Sequence, residues 1–348
     1  MTTRPPAGRE IDLWNVCDGV PVYTGAQRTV NILGRLPHPE EVATLTYSLN
    51  GGPALPVFFK NSTATANRLA LPGDFNIDTV DRDQLQGDNT LVMTASFRNG
   101  ERVEQTWRFP SVPAGDRDKS LRLDLGGVEH AQQVSQMVDG RWRIGGDGEG
   151  QRWLEIAEED AGLDRVILFG RDDLTTGYTI RARVLVTSWV GMPHNVGLLF
   201  KWNPHLRGDG TTLPSQWSTA LGYYYSNCPG IRIRYGVDVH MNADGQKVGD
   251  YVLAETKLSP WRDLAGRVIK RFAGKQRIFA QLAPGKLYCF ELRIEEAAHA
   301  LTVWRCGRSQ PSPQVVVNNP TQYLERGAVG IIAHRCGVRV YDFEIEHD

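Results

Sequence analysis

Residues 178–186 read Tyr178-Thr-Ile-Arg-Ala-Arg-Val-Leu-Val186. Successive side chains of an extended chain point to opposite sides, so Ile180, Ala182, Val184 and Val186 share one face and Arg181 and Arg183 the other. One apolar and one charged face is the pattern of a half-buried antiparallel strand. Phe290-Glu-Leu-Arg-Ile-Glu295 repeats it. Working outward, short runs rich in Val, Ile, Thr, Tyr and Trp, bounded by Gly, Pro, Asn and Asp, recur at 44–49, 89–96, 104–109, 196–202, 231–235, 288–294, 301–306 and 338–345. Helical periodicity is scarce; its best stretch, 259–272, is interrupted by Pro260 and Gly266. The expected fold class is all-β.

At roughly 150 residues per domain, 348 residues suggest two domains. Pro110, Pro113, Gly115 and the charged run Asp116-Arg-Asp-Lys119 break the strand pattern, which predicts a linker over 113–127. The flanking pieces have the sizes of an immunoglobulin-like β-sandwich, 10–112, and a larger jelly-roll sandwich, 128–348. Asn50-Gly51-Gly52 suits a hairpin turn. No internal repeat has a fixed period.

The composition, 41% hydrophobic and 23% charged, is that of an ordinary globular chain. No stretch approaches the ~18 apolar residues of a membrane span, and coiled-coil and disordered classes are likewise excluded. A net charge of −1 gives no field toward nucleic acid. Residues 195–290 nevertheless hold 13 basic and 6 acidic side chains, a basic third inside a neutral chain. Met1-Thr-Thr-Arg-Pro-Pro6 has no apolar core of a signal peptide. The compartment therefore stays open between cytoplasm, export by another route and loss of a leader. The five cysteines include no C-x2-C pair; Cys289 and Cys306 lie in neighbouring strand-like runs, and the others read as buried thiols.

The N-terminal part resembles immunoglobulin-like or fibronectin-III-like domains of bacterial surface and secreted proteins. Val30-Asn-Ile-Leu-Gly34, Leu45-Thr-Tyr-Ser-Leu-Asn-Gly-Gly52, 68–76 and 85–92 carry the likeness, without the Cys…Trp…Cys spacing of antibody domains. The C-terminal part resembles the concanavalin A-like (laminin-G-like) lectin and glucanase jelly rolls. Here the likeness lies in Leu287-Tyr-Cys-Phe-Glu-Leu-Arg-Ile294 with Leu301-Thr-Val-Trp304, read as paired back-sheet strands. Gly327-Ala-Val-Gly-Ile-Ile-Ala-His334 with Val338-Arg-Val-Tyr-Asp-Phe-Glu-Ile345 is read as a closing hairpin. The resemblance implies an extracellular or cell-surface protein and leaves the chemistry open.

Sugar binding needs flat apolar platforms for C–H faces and planar polar groups for hydroxyls. The basic third supplies Lys201, His205, Trp217, Tyr223, Tyr225, Arg232 and Arg234 as candidate ligand-binding residues. Alternation puts Lys201 with Asn203, Tyr223 with Tyr225 and Arg232 with Arg234 on shared faces. If those faces line the concave sheet, they form an aromatic, cationic groove bordered by the long loop 203–216. Trp202 reads as core with Leu198 and Phe200, and Trp142, Trp153, Trp189 and Trp304 also read as core. Asp342 matches the aspartate that many members of the resembled family use for a structural Ca2+, although one carboxylate is not a calcium site. The histidines lack zinc spacing, Gly145-Gly-Asp-Gly148 reads as a turn, and there is no G-x-S-x-G elbow. Glu155, Glu158, Glu159, Asp160, Glu344 and Glu346 have the wrong placement for a glucanase dyad and read as surface carboxylates.

Three functions compete. The leading one is recognition of a polysaccharide or oligosaccharide, with acidic glycans favoured by the basic third. The second is a polysaccharide-degrading enzyme, a lyase ahead of a hydrolase, with its site on the same concave face. The third is a structural or adhesion module without a glycan site.

Overall fold

A computed structural model describes residues 8–60, 69–113, 120–171, 173–191, 194–202, 219–225, 230–236, 240–241, 247–248, 254–255, 282–318 and 327–347. Within 219–255 it describes the backbone and, of the side chains, that of Ile233. Regular structure among the described residues is strand plus three short 3-10 turns. Each run singled out above coincides with a strand, 301–306 and 290–295 each running one residue past theirs, which end at Arg305 and Ile294. The stretch 259–272 lies outside the described residues.

The N-terminal half is a pair of sheets. Asp12–Leu13, Thr29–Arg35 and Asp74–Asp81 form one; Val22–Tyr23, Arg102–Val112, Asp88–Phe97, Val42–Leu49 and Leu55–Pro56 form the other. Ile32, Phe75, Leu45, Leu91 and Met93 are among the side chains closed between them. Asn50 and Gly51 take the positive φ values, 51° and 73°, of the tight turn between Val42–Leu49 and Leu55–Pro56.

The C-terminal half stacks two larger antiparallel sheets, the architecture of a lectin-like jelly roll. Across the seven-stranded sheet the order is Gln136–Asp139, Arg165–Leu168, Ala328–His334, Asn195–Trp202, Thr219–Tyr225, Gly230–Gly236 and Ala254–Glu255. The eight-stranded sheet runs Arg143–Gly146, Arg152–Ile156, Cys336–His347, Tyr178–Trp189, Leu287–Ile294, Ala298–Arg305 and Val315–Asn318, with Leu121–Arg122 also on Cys336–His347. Ile180, Ala182, Val184 and Val186 enter the core with Leu198, Phe200, Ile233, Phe290 and Ile331. Arg181 and Arg183 lie on the outside, in ion pairs with Glu291 (2.9 Å), Glu346 (2.5 Å) and Asp342 (2.7 Å).

Several readings need correction, among them Asp160, which was expected at the surface but is 5% exposed and paired with Arg143 at 2.6 Å. Ala328–His334 and Cys336–His347 are consecutive but belong to opposite sheets, so they close the sandwich across its edge rather than as a hairpin. Leu121–Arg122, inside the expected linker, is a strand, and Leu123 and Leu125 are core. The physical reason is the alternation Leu121-Arg-Leu-Asp-Leu125, which offers one apolar face to the sandwich. Trp202 is fully buried on the other side from Leu198 and Phe200: the register slips between Leu199 and Trp202, and Lys201 takes φ 55° as the extra residue. Such a bulge flips every side chain beyond it. Of the other tryptophans, Trp142 and Trp153 are buried, whereas Trp189 and Trp304 are half-buried.

Cys289 and Cys306 form a disulfide, and Cys336 is a buried thiol. No described helix is long and apolar enough to cross a membrane.

Candidate functional site

The seven-stranded sheet has an inner face on the core and an outer face. Part of the outer face is covered by the N-terminal half: Tyr23 and Ala26 pack with Val166, Leu168, Leu199, Trp202 and Ile332. Polar groups lock the contact. Gln136 Oε1 accepts from the backbone N–H groups of Ala26 (3.0 Å) and Gln27 (2.9 Å), and its Nε2 donates to Thr29 O (2.7 Å). Trp202 Nε1 donates to Gln27 Oε1 (2.8 Å), and Asn76 Nδ2 to Val138 O (2.8 Å). An apolar interface with satisfied buried donors holds two halves as one body. The outer face of the seven-stranded sheet, where the sequence reading looked for a groove, is therefore bordered on one side by the N-terminal half.

Beyond that wall, register decides what shares the outer face. Leu199 pairs with Leu221, which pairs with Arg234; Gly197 pairs with Tyr223, which pairs with Arg232; Asn195 pairs with Tyr225. Directly opposed residues of paired strands lie on one face. Leu199 faces outward, whereas Ile233 is in the core. Positions 223, 225, 232 and 234 thus fall on the outer face in adjacent rows; their side chains lie outside the described set. His205 and Trp217 lie outside the described residues altogether.

The same face continues onto described side chains. His334 opposes Asn195, and its Nδ1 is 2.6 Å from Asp164 Oδ1, a close pair that fixes the ring. The Oδ1 of Asn195 is buried and accepts no hydrogen bond among the described residues. His194 stacks on Trp189 with ring centroids 3.9 Å apart, and its Nδ1 lies 2.9 Å from Gly191 O. Burial, with the neighbouring His334, holds the His194 imidazole below its ordinary range. Sequence reasoning missed Asp164, His334 and Asn195 because they come from three strands' ends and no spacing links them.

Lys201 does not join this face as a groove residue. It is 7% exposed at the bulge, and burial lowers its pKa. Its charge acts on His299 of the opposite sheet, which packs edge-on against the inward Phe200 with centroids 5.4 Å apart. Burial first, then Lys201, depresses His299 to about 3. The alternation that paired Lys201 with Asn203 fails at the extra residue.

Asp342 lies on the outer face of the eight-stranded sheet. It pairs with Arg183 at 2.7 Å and lines a pocket with Arg122 and Arg152. Calcium wants six to eight oxygens, and these arginines do not supply them. The side chains gathered closely enough for a metal among the described residues, His38, Glu40 and Glu41, are exposed and do not include Asp342. Glu344 and Glu346 are surface carboxylates flanking Arg181, at 3.9 and 2.5 Å.

No family model and no curated protein matches the chain. Solved structures similar to it include the Ca2+-bound exoplasmic/lumenal domain of VIP36, at 8% identity and TM-score 0.40, over 67% of this chain and 91% of that one. Arcelin-5, a lectin-like defense protein from Phaseolus vulgaris, is 9% identical with TM-score 0.36, over 66% of this chain and 100% of that one. A putative glycosyl hydrolase from Parabacteroides distasonis is 10% identical with TM-score 0.35, over 65% and 94%.

Proposed function

We propose that the C-terminal half, residues 128–348, recognises carbohydrate on the uncovered part of its seven-stranded sheet, with acidic glycans preferred. The N-terminal half, residues 10–112, acts as an immunoglobulin-like support that forms one wall of the groove. The observation that carries this reading is the register. It supports a common face for Tyr223, Tyr225, Arg232 and Arg234, next to His334 and Asn195 and beside the interface of the two halves. Ligand sites favour such junctions. Tyrosines suit the C–H face of a sugar, and arginine forks suit its carboxylate or sulfate. The Cys289–Cys306 disulfide fits an extracellular or cell-surface setting.

A glycan array tests the reading. Retention of acidic glycans, weakened by salt because exposed charges are screened over about 8–10 Å, is the expected outcome. Arg232→Ala and Arg234→Ala then lower retention in a protein that keeps its unfolding midpoint. An array with no glycan above background, or binding indifferent to both variants, overturns it.

A second reading rests on the Asp164–His334 pair. A carboxylate-held imidazole on a sugar-binding face is suited to proton transfer. On a uronate polymer the imidazole would take the C5 proton as the C4–O bond breaks and a C4=C5 bond forms, and the imidazolium so formed would return that proton to the leaving oxygen. Absorbance of unsaturated uronate, lost in His334→Ala, is its test; no absorbance with any uronate polymer rejects it.

A further inference from the structure

The opposite sheet carries a notch of its own, about 550 Å3 in volume, on its outer face. Cys336–His347 is flanked on one side by two different strands. Arg152–Ile156 pairs with residues 338–340, and Leu121–Arg122 with residues 344–345. The strand on its other side shows a slip at the gap between them: Arg183 faces Asp342 while Val184 faces Val340. Tyr341 is thus the extra residue of a bulge, a device that re-aims side chains beside binding sites. Arg122, Arg152, Arg183, Gln151, Tyr341 and Asp342 all line the opening.

The Tyr341 ring is backed by Trp153, with centroids 5.5 Å apart, and Trp153 is covered in turn by the Arg339 guanidinium 4.3 Å from its ring. The phenol is therefore a supported flat platform. Arg183 is neutralised by Asp342. Asp124, also at the opening, turns one oxygen back to the Gly126 N–H at 2.8 Å. Arg122 and Arg152 have no ion-pair partner among the described residues. Two uncommitted guanidinium groups beside an aromatic platform, an amide and a carboxylate match a ring that carries both hydroxyls and one anionic group.

We propose that this notch binds an acidic sugar unit, its carboxylate held by Arg122 and Arg152 and its ring resting on Tyr341. The site is independent of the groove on the seven-stranded sheet. D-glucuronate, D-glucose and acetate titrated into the full chain, read by saturation-transfer NMR, test it. Glucuronate should bind at millimolar concentration, and glucose and acetate at least about tenfold more weakly, since each lacks half of the recognised features. The double variant Arg122→Ala, Arg152→Ala should weaken glucuronate by about tenfold or more, and so should Tyr341→Ala. The same titrations run in the Arg232→Ala, Arg234→Ala background, which disables the proposed groove, should still show glucuronate binding that the notch variants weaken, and this separates failure here from failure of the groove. Arg152→Gln, which preserves bulk, supplies the same test should the double variant not fold. No glucuronate binding, binding unmoved by the notch variants, or acetate or glucose as tight as glucuronate would each overturn the proposal.

Discussion

Acidification should destabilise this protein through one buried imidazole. His299 is 2% exposed, packed against Phe200 and repelled by the charge on Lys201, and its pKa falls from 6.5 to about 3. The folded chain holds the ring neutral at pH values where the unfolded chain has protonated it. Protons therefore favour the unfolded state: the stabilisation is complete above about pH 6.5 and is lost as pH falls toward 3. At 1.36 kcal/mol per pKa unit, moving from pH 7 to pH 4.5 removes about 2.5 kcal/mol. That is a large share of the roughly 5–15 kcal/mol that holds a domain together. Asp160 runs the other way, because burial raises its carboxyl and its protonation favours the folded state at low pH. The difference between the wild type and His299→Gln, which cannot titrate, isolates the imidazole. Urea unfolding at pH 7, 6, 5 and 4.5 reads it. The wild-type midpoint should fall relative to that of the variant as pH drops, whatever their offset at pH 7. Curves that stay parallel over the whole range would show that His299 is not held neutral.

Trp202→Ala should cost about 3–5 kcal/mol, since it empties a fully buried ring site and strands Gln27; calorimetry that finds under 1 kcal/mol would contradict the docking of the halves. Replacing Cys289 and Cys306 by alanine should lower stability by about 3 kcal/mol in urea unfolding, because they stand 17 positions apart and the unfolded chain regains that loop's freedom. Gly140→Ala should destabilise measurably in thermal unfolding, as φ is 87° there and a Cβ would overlap the Arg165 side chain; an unchanged midpoint would mean that this turn relaxes freely.

What the sequence disclosed follows from which forces act locally. The alternation in 178–186 fixed its own face assignment, because period-two burial is a property of a single strand. Leu287–Ile294 and Ala298–Arg305 were recognisable as partners because a short connection forces antiparallel pairing. The two bulges were not legible: at Lys201 and Tyr341 one added residue changes every subsequent face, and only the neighbouring strand reveals it. The cover over the outer face was equally hidden, since Tyr23 and Leu199 meet only after two sandwiches have formed. The notch combines residues 122, 152, 183 and 341 from four strands, so no motif could announce it. Its one clue lay in the apolar alternation at 121–125, a stretch the sequence reading took as linker.

Titrating the tightest-retained array glycan into the wild type and into the Arg232→Ala, Arg234→Ala variant at low salt tests the glycan-binding account most directly. A loss of affinity of about tenfold or more in a folded variant is expected, each lost charge-assisted contact being worth about 1.5–3 kcal/mol. Equal affinity for the two proteins would contradict it.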